Sequence, residues 1–496
     1  MTTQPTPPIE LLATDGVRGR WPSEPLPDTV LRALANACPT TVDPMTCAET
    51  SRDWWPLALH WALAGEVPTL AAAVCRPTST AEVAAVATVC NDARVPLTVT
   101  AGRSGVTGAS VPALGGVALD VTGLAGLISF DAVSGVAELR AGTFGPDAES
   151  ALAEHDASIG HSPQSFDLAT VGGWIACRGA GQHSTRYGKI ESMVVGLEVV
   201  LADGRVVRTG GAPAAAVGPD LSQLFIGSEG TLGIVTTAWL RTHRRPSHDR
   251  RAAYTCESFA AGIDACRRIL HAGATPAVLR LYDAAESAAS GRGGDGTRCT
   301  LLVLDEGTPE LVDATMSIVD RECASAIAAP STLVDVWLEH RNDTSALQAL
   351  TRKGYVVDTM EIAAPWSRLA GLFDEVRAAL LAVPTMIAAT CHLSHSYPDG
   401  ACLYFTFAAT PPADAVEATY VASWDAGQRA VLRGGGNLSH HHGVGLNRSR
   451  FVAEALGAGV DVLQAVKDAL DPHGILNPGK LGLRSALGGV AWPNGQ

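Results

Sequence analysis

Three histidines stand side by side at 440–442, in the stretch 438-LSHHHGVG-445, just after a run of three glycines. With 14 histidines in 496 residues, such clustering asks for a reason. Imidazole is the side chain whose charge changes near neutral pH, and it serves as a general base, an electrostatic stabiliser or a metal ligand. On an extended segment His440 and His442 would share one face while His441 points the other way, so two of the three would enter a site together. Tyr404, in 400-GACLYFTF-407, puts a phenol into an alternating apolar strand, where a core tyrosine with a satisfied hydroxyl is the plain reading. Arg280, in 277-AVLRLYD-283, interrupts another apolar strand with a guanidinium that, once buried, needs an anionic partner.

These residues must be held by elements that also hold a ligand. Three earlier segments cluster glycines: 101-AGRSGVTGAS-110, 171-VGGWIACRGAG-181 and 227-GSEGTLGIV-235. Glycine lets backbone N–H groups turn outward and approach a phosphate with no Cβ in the way. None of the three is a G-x-G-x-x-G turn inside a βαβ unit or a GK[ST] loop, so a Rossmann or P-loop site is not expected.

The stretch 71–105 reads as strand, turn, helix, strand and glycine loop, its helix opened by Ser79 or Thr80 with Glu82 behind. Short β-rich runs follow, with Ala202-Asp203-Gly204 as a hairpin turn. After about Ser247, strands and helices segregate in the manner of an antiparallel sheet covered by helices. The expected organisation is an N-terminal extension at 1–60, a ligand-binding domain at 61–246, a cap domain at 247–435, and a C-terminal segment at 436–496 carrying the histidines.

Composition limits the partners. Hydrophobic residues at 47% and a net charge of -14 describe a chain with ample core and no basic face for nucleic acid. No window holds eighteen apolar residues free of charge, so no membrane span is expected. The 11 scattered cysteines contain no C-x-x-C pair, and no signal peptide is read, so the expected compartment is the cytoplasm.

The motifs 160-GHSPQS-165, 170-TVGGW-174, 187-YGKIE-191, 227-GSEGTLGIV-235 and 471-DPHGILNPGKLG-482 resemble the vanillyl-alcohol oxidase / p-cresol methylhydroxylase superfamily of FAD enzymes. Within it, they and LSHHHGVG are most similar to the alkylglycerone-phosphate synthases, which exchange an acyl for an alkyl chain in ether-lipid synthesis. The resemblance spans about residues 65 to 482. It implies an α+β fold: a two-subdomain FAD-binding domain plus an α+β cap with an antiparallel sheet.

It also implies the cofactor residues. Val99, Thr100, Ala101, Gly102, Arg103, Ser104 and Gly105 would hold the pyrophosphate, Arg103 and Ser104 as phosphate or turn residues. Gln164, Ser165 and Thr170 would run under the flavin, with His161 as its neighbour. Gly172, Gly173, Cys177, Gly179, Ala180, Glu229, Gly230, Thr231, Gly233, Ile234 and Val235 would complete the cleft. The first glycine loop has no His or Cys, so non-covalent FAD is expected. Tyr404 matches the family's proposed acid/base, His440, His441 and His442 its substrate-side histidines, and Arg280 an active-site contact; Thr359 is a further neighbour. The family's tendency allows a homodimer.

The chain also departs from that pattern. Leu347 stands where the synthases carry a phosphate-binding arginine, nineteen residues before Trp366, with Arg341 and Arg352 nearby. Leu446-Asn447-Arg448 replaces the lysine that follows the histidines. The expected activity is therefore oxidation of a hydroxyl- or amine-bearing carbon of a small or lipid-like substrate, with alkyl exchange as the alternative. A third reading is a metal-assisted 2-hydroxy-acid dehydrogenase, in which His395 and Pro398-Asp399-Gly400 open a ligand segment and His441-His442 close it. Two of its four ligand positions are lost, so no metal is expected.

Overall fold

The computed structural model describes residues 9–12, 16–289, 294–343, 345–490 and 492–493. The remaining residues of the expected extension, 1–8 and 13–15, lie outside these. Three sheets carry the fold. In the first, the order is Thr40–Thr41, Ala73–Cys75, Val117–Asp120, Leu97–Thr100, and the last three strands run parallel. Parallel strands need a crossover; helix Thr80–Ala93 links Ala73–Cys75 to Leu97–Thr100, on either side of Val117–Asp120. Its cap is Ser79, whose side chain accepts the Glu82 N–H at 3.2 Å, while Glu82 accepts the Thr78 N–H at 2.6 Å.

The second sheet is antiparallel, in the order Val206–Gly210, Val194–Val200, Ile234–Arg241, Val136–Arg140, Leu127–Asp131. The hairpin expected at Asp203-Gly204 forms there, with Gly204 at φ +82°.

The third sheet has seven antiparallel strands: Ile327–Ala329, His248–Cys256, Cys299–Gly307, Val278–Tyr282, Met386–Ser396, Gly400–Ala409 and Val356–Pro365, in that spatial order. On one face Leu279, Leu281, Ile362, Leu393, Leu403, Phe405 and Phe407 share a core with helices Phe259–His271, Trp366–Leu381 and Val416–Arg433. Side chains alternate along a strand. The intervening Arg280, Tyr282, Thr359, Glu361, His392 and Tyr404 must therefore face the other way. The α+β architecture with an antiparallel cap sheet under helices holds.

The chain end closes back on the first sheet. Leu97 donates to the Ile475 carbonyl at 2.8 Å and accepts from the Asn477 N–H at 2.8 Å, which pairs an otherwise open edge. The N-terminal region packs on the cap core through Trp55, whose indole N–H donates to the Tyr420 hydroxyl at 2.9 Å. Among the described residues no helix is long and apolar enough to cross a membrane.

Candidate active site

A cavity of about 660 Å³ lies between the glycine-rich segments and the polar face of the seven-stranded sheet. That volume suits a cofactor-sized ligand. One wall is formed by Val99 through Gly105, His161, Gln164, Ser165, Thr170, Gly172, Gly173, Cys177, Gly179, Ala180, Glu229, Gly230, Gly233, Ile234 and Val235. Thr231 is the exception among the residues expected there. Its hydroxyl donates to the Ser228 carbonyl at 2.7 Å and its own carbonyl accepts from Lys467 at 2.8 Å, so it braces the loop from behind. Arg103 takes φ +55°, and its guanidinium reaches the Glu49 carbonyl.

The wall fits FAD. A Cβ on Gly102 would come 1.9 Å from the Leu168 carbonyl oxygen, so only glycine lets the first loop lie against the 164–170 segment. His161 is fully buried, and neither ring nitrogen has a hydrogen-bond partner. Orphaned nitrogens on a cavity wall are expected where a polar ligand completes them. Burial, and then the charge of Lys189, pushes His161 down to about 3, so it meets that ligand uncharged. Burial likewise pushes the Cys177 thiol up to about 12.

The opposite wall is a row of side chains in direct cross-strand register. Tyr282 lies opposite His392, His392 opposite Tyr404, and Tyr404 opposite Glu361. Four strands thus place four polar groups in line on one face, the arrangement that cross-strand pairing favours. The rings of His392 and Tyr404 stack at 4.7 Å and 13°. The Tyr404 hydroxyl donates to Thr359 at 3.1 Å, and burial raises its pKa above the ordinary phenol value.

Arg280 flanks this row, with Nε 2.7 Å from the Tyr282 hydroxyl and Nη2 2.7 Å from His392 Nε2. Among the described residues, the anion expected beside this arginine is reached through His392, whose Nδ1 lies 3.0 Å from Glu286. Arg280 has protons only to give. His392 must therefore accept at Nε2 and donate from Nδ1 to Glu286.

The histidine segment does not run extended, and its expected alternation fails. Backbone N–H groups of His440, His441 and His442 all donate to Oε1 of Glu361, at 3.2, 3.1 and 2.8 Å. Three successive donors converging on one oxygen curl the chain into a nest. A second carboxylate takes the next turn: Glu229 accepts from Val444 at 2.5 Å and from Gly445 at 2.9 Å. As a result His441 and His442 both line the cavity, whereas His440 sits behind them, 6% exposed.

Glu361 also accepts from the Ser439 hydroxyl at 2.6 Å and is ion-paired with the buried Arg448. Burial opposes its charge, but Arg448 and then His442 hold its carboxyl well below the usual carboxylate range.

Sequence reading missed Glu361 and His392. Their signal was present: Thr359-x-Glu361 and Thr390-x-His392-x-Ser394 place polar residues at every second position of otherwise apolar strands. Of the two arginines near Leu347, Arg341 lines the cavity beside Leu347, with Nη1 3.2 Å from His183 Nε2; Arg352 does not line it. His395, at a bulge with φ +50°, also lines the cavity. Ring nitrogens of His395, His440 and His441 lie within 4.8 Å of one another. Both His440 nitrogens have partners, Nδ1 in His441 and Nε2 in Tyr397, each at 2.9 Å.

Comparison with known proteins agrees with this geometry. Residues 71–210 match the "FAD binding domain" family, and residues 245–481 match "FAD linked oxidases, C-terminal domain". The chain is 31% identical over 385 residues to the uncharacterized FAD-linked oxidoreductase YgcU of Escherichia coli (strain K12), covering 74% of this chain and 79% of that protein. It is 29% identical over 381 residues to the alkyldihydroxyacetonephosphate synthase of Dictyostelium discoideum, covering 69% of this chain and 61% of that protein. A solved alkyldihydroxyacetonephosphate synthase superposes with a TM-score of 0.78 at 23% identity, over 97% of this chain and 90% of that one. Substrate-bound p-cresol methylhydroxylase does so with 0.71 at 17%, over 92% and 97%.

Proposed function

The chain belongs to the FAD-linked oxidase family, and from that premise we propose that it oxidises a hydroxyl- or amine-bearing carbon of a small or lipid-like substrate. When bound, FAD supplies the two-electron acceptor, leaving the protein to bind, orient and deprotonate the substrate. FAD is held without a covalent link, which the lack of His or Cys in the first glycine loop and the protonated Cys177 thiol support.

The observation that carries the reading is the Tyr282–His392–Tyr404–Glu361 row, facing the glycine wall with His441 and His442 beside it. Tyr404 offers the substrate oxygen a hydrogen bond. His442 is placed to take the substrate's proton: it lines the cavity, and its Nδ1 lies 3.1 Å from Glu361 Oε2. His441 is kept neutral by burial and by the neighbouring His442. The cap strands shield these groups from bulk water, which strengthens each of these interactions.

Alkyl exchange on a phosphate-bearing substrate is the second reading. One observation favours it: Arg341 stands on the cavity beside Leu347, so a cation is still available to an anionic group. The cytoplasm is the compartment assigned, supported by eleven cysteines that are all unpaired.

Anaerobic spectroscopy of the FAD-loaded enzyme separates the readings. Oxidation predicts bleaching of the flavin band by a member of a panel of alcohols, 2-hydroxy acids and amines. No bleaching, together with incorporation of a labelled fatty alcohol into acyl-dihydroxyacetone phosphate, would replace oxidation by exchange.

A further inference from the structure

Helix Thr332–His340 packs Val334 and Trp337 against Tyr282, Leu302 and Leu304 of the cap sheet. Arg341 caps the C-terminal end of that helix, where the helix dipole favours a cation. It follows Trp337 by four positions, the spacing that brings two side chains together on one helix face. Its guanidinium carbon accordingly lies 5.7 Å from the centre of the Trp337 ring, and the guanidinium carbon of Arg280 lies 5.7 Å from the same ring. Two cations that line the cavity thus share one aromatic neighbour, which draws both by its π-face.

The two arginines are aimed alike. Arg341 donates from Nη1 to His183 Nε2 at 3.2 Å, so that ring must carry its proton on Nδ1 and donate it to Glu306, 3.2 Å away. The Tyr187 hydroxyl donates to the same Glu306 oxygen at 2.9 Å. Arg280 stands in the same relation to His392 and Glu286. In each case a neutral imidazole separates guanidinium from carboxylate, and the cation is oriented without being neutralised by a direct pair. Among the described residues the Arg341 guanidinium makes that one hydrogen bond and no ion pair. Burial disfavours its charge, while Glu306 and then Asp167 support it. Glu286 and Asp343 also line the cavity and have partners of their own. A half-buried guanidinium with N–H groups to spare, facing a cavity, matches the two oxygens of a carboxylate or a phosphate.

We propose that Arg341 binds an anionic group of the substrate, a carboxylate or a phosphate, other than the group that reacts, and that His183 positions it there. This names the substrate class of the cavity already described, and it rests on reading that cavity as the substrate site, whether oxidation or exchange takes place in it. Arg280 serves the Tyr282–His392 end of the polar row. Arg341 touches no member of that row; its contacts are His183 and Trp337, with Leu347 and Leu350 lining the cavity as well. The substrate therefore has two recognised ends: an oxygen or nitrogen at Tyr404 and the histidines, and an anion at Arg341.

Calorimetric titration of the FAD-loaded enzyme with inorganic phosphate and with butyrate, at an ionic strength held constant with chloride, reads the subsite without turnover. Saturable binding of one or both is expected, and the tighter of the two separates phosphate from carboxylate. Arg341→Met, at wild-type flavin content, should weaken it by about 10- to 100-fold, the scale of a hydrogen bond to a charged group. Arg341→Lys keeps the charge and should lose less. His183→Gln keeps an acceptor for Arg341 and a donor for Glu306 and should bind like the wild type, whereas His183→Phe should weaken binding toward the level of Arg341→Met. Equal affinity in the wild type and Arg341→Met, or no saturation by either anion, overturns the proposal. With a substrate that bleaches the flavin, Arg341→Met should raise the concentration for half-maximal reduction and leave the limiting rate unchanged; a fall in the limiting rate alone also overturns it. If no compound bleaches the flavin, the oxidation reading fails while the anion titration still decides the subsite.

Discussion

Nδ1 of His442 lies 3.1 Å from Oε2 of Glu361, a carboxylate with no solvent exposure that also carries the backbone of the histidine segment. One buried anion therefore both shapes the loop and stands against an imidazole that lines the cavity. Fixed charge at the point where a proton is taken up needs no rearrangement during reaction.

His442→Ala removes the ring and leaves the backbone N–H that Glu361 uses. The variant should keep its FAD and lose turnover by about 10²- to 10⁴-fold. Flavin content and steady-state rate, measured on the same preparation, check this. Wild-type turnover would remove His442 from the mechanism.

Tyr404→Phe keeps the ring stacked on His392 and deletes only the hydroxyl. The melting temperature should hardly move, because the hydroxyl's partner is a single threonine. Turnover should fall by about 10²-fold, with the loss in kcat rather than in KM. A change confined to KM would make Tyr404 a binding residue only.

Arg448→Met leaves Glu361 buried without its guanidinium partner. Removing one member of a buried pair costs about 3–5 kcal/mol, which urea unfolding followed by fluorescence would register. The pair also fixes a sign in pH. A carboxyl depressed in the fold stabilises it above the unfolded value, near 4.3. That contribution is lost as pH falls from there toward the lower folded value. Arg448→Met should therefore be less sensitive to acid below about pH 4 than the wild type.

The buried histidines act at higher pH. Burial pushes His161 and His440 down to about 3 and holds His395 and His441 well below their ordinary value. The unfolded chain takes up these protons below about pH 6.5, while the fold does not. Stability is complete above that pH and falls by about 1.4 kcal/mol per pH unit for each such ring as pH drops toward the folded values. Urea unfolding at pH 7.5, 6.5 and 5.5 should show a small loss in the first interval and most of it in the last. A flat profile down to pH 5.5 would contradict the burial of these rings in their neutral form.

Gly102→Ala places a methyl group against the Leu168 carbonyl, and the first glycine loop must move to admit it. The variant should shed FAD on desalting while the wild type stays yellow. Acid precipitation of the wild type should release the colour into the supernatant, and colour left in the pellet would mean a covalent tether.

The wall of glycines was legible in the sequence because its physics is local. A loop that must lie 1.9 Å from a carbonyl wherever a Cβ would be admits only glycine, so Gly102 marks itself. The hairpin at Asp203-Gly204 and the Ser79 cap are local in the same sense, as is the alternation that puts Arg280 and Tyr404 on one face of their strands. Thr231 was misplaced within its loop, since sequence names a turn without saying which of its residues face inward.

The register of the cap sheet was not legible. Tyr282, His392, Tyr404 and Glu361 come from four strands spread over more than a hundred residues, and no local preference dictates that they share a row. The shape of the histidine segment was likewise decided from outside. As an isolated strand it would alternate, but Glu361 and Glu229 draw five of its N–H groups inward, and a buried carboxylate satisfied in this way outweighs the extended preference of three residues. The sequence by itself determined that the chain binds a flavin and carries imidazoles, a phenol and a guanidinium for it. Only the tertiary structure decided which imidazoles reach the cavity and which stand behind it, because that depends on hydrogen-bond acceptors supplied by distant strands.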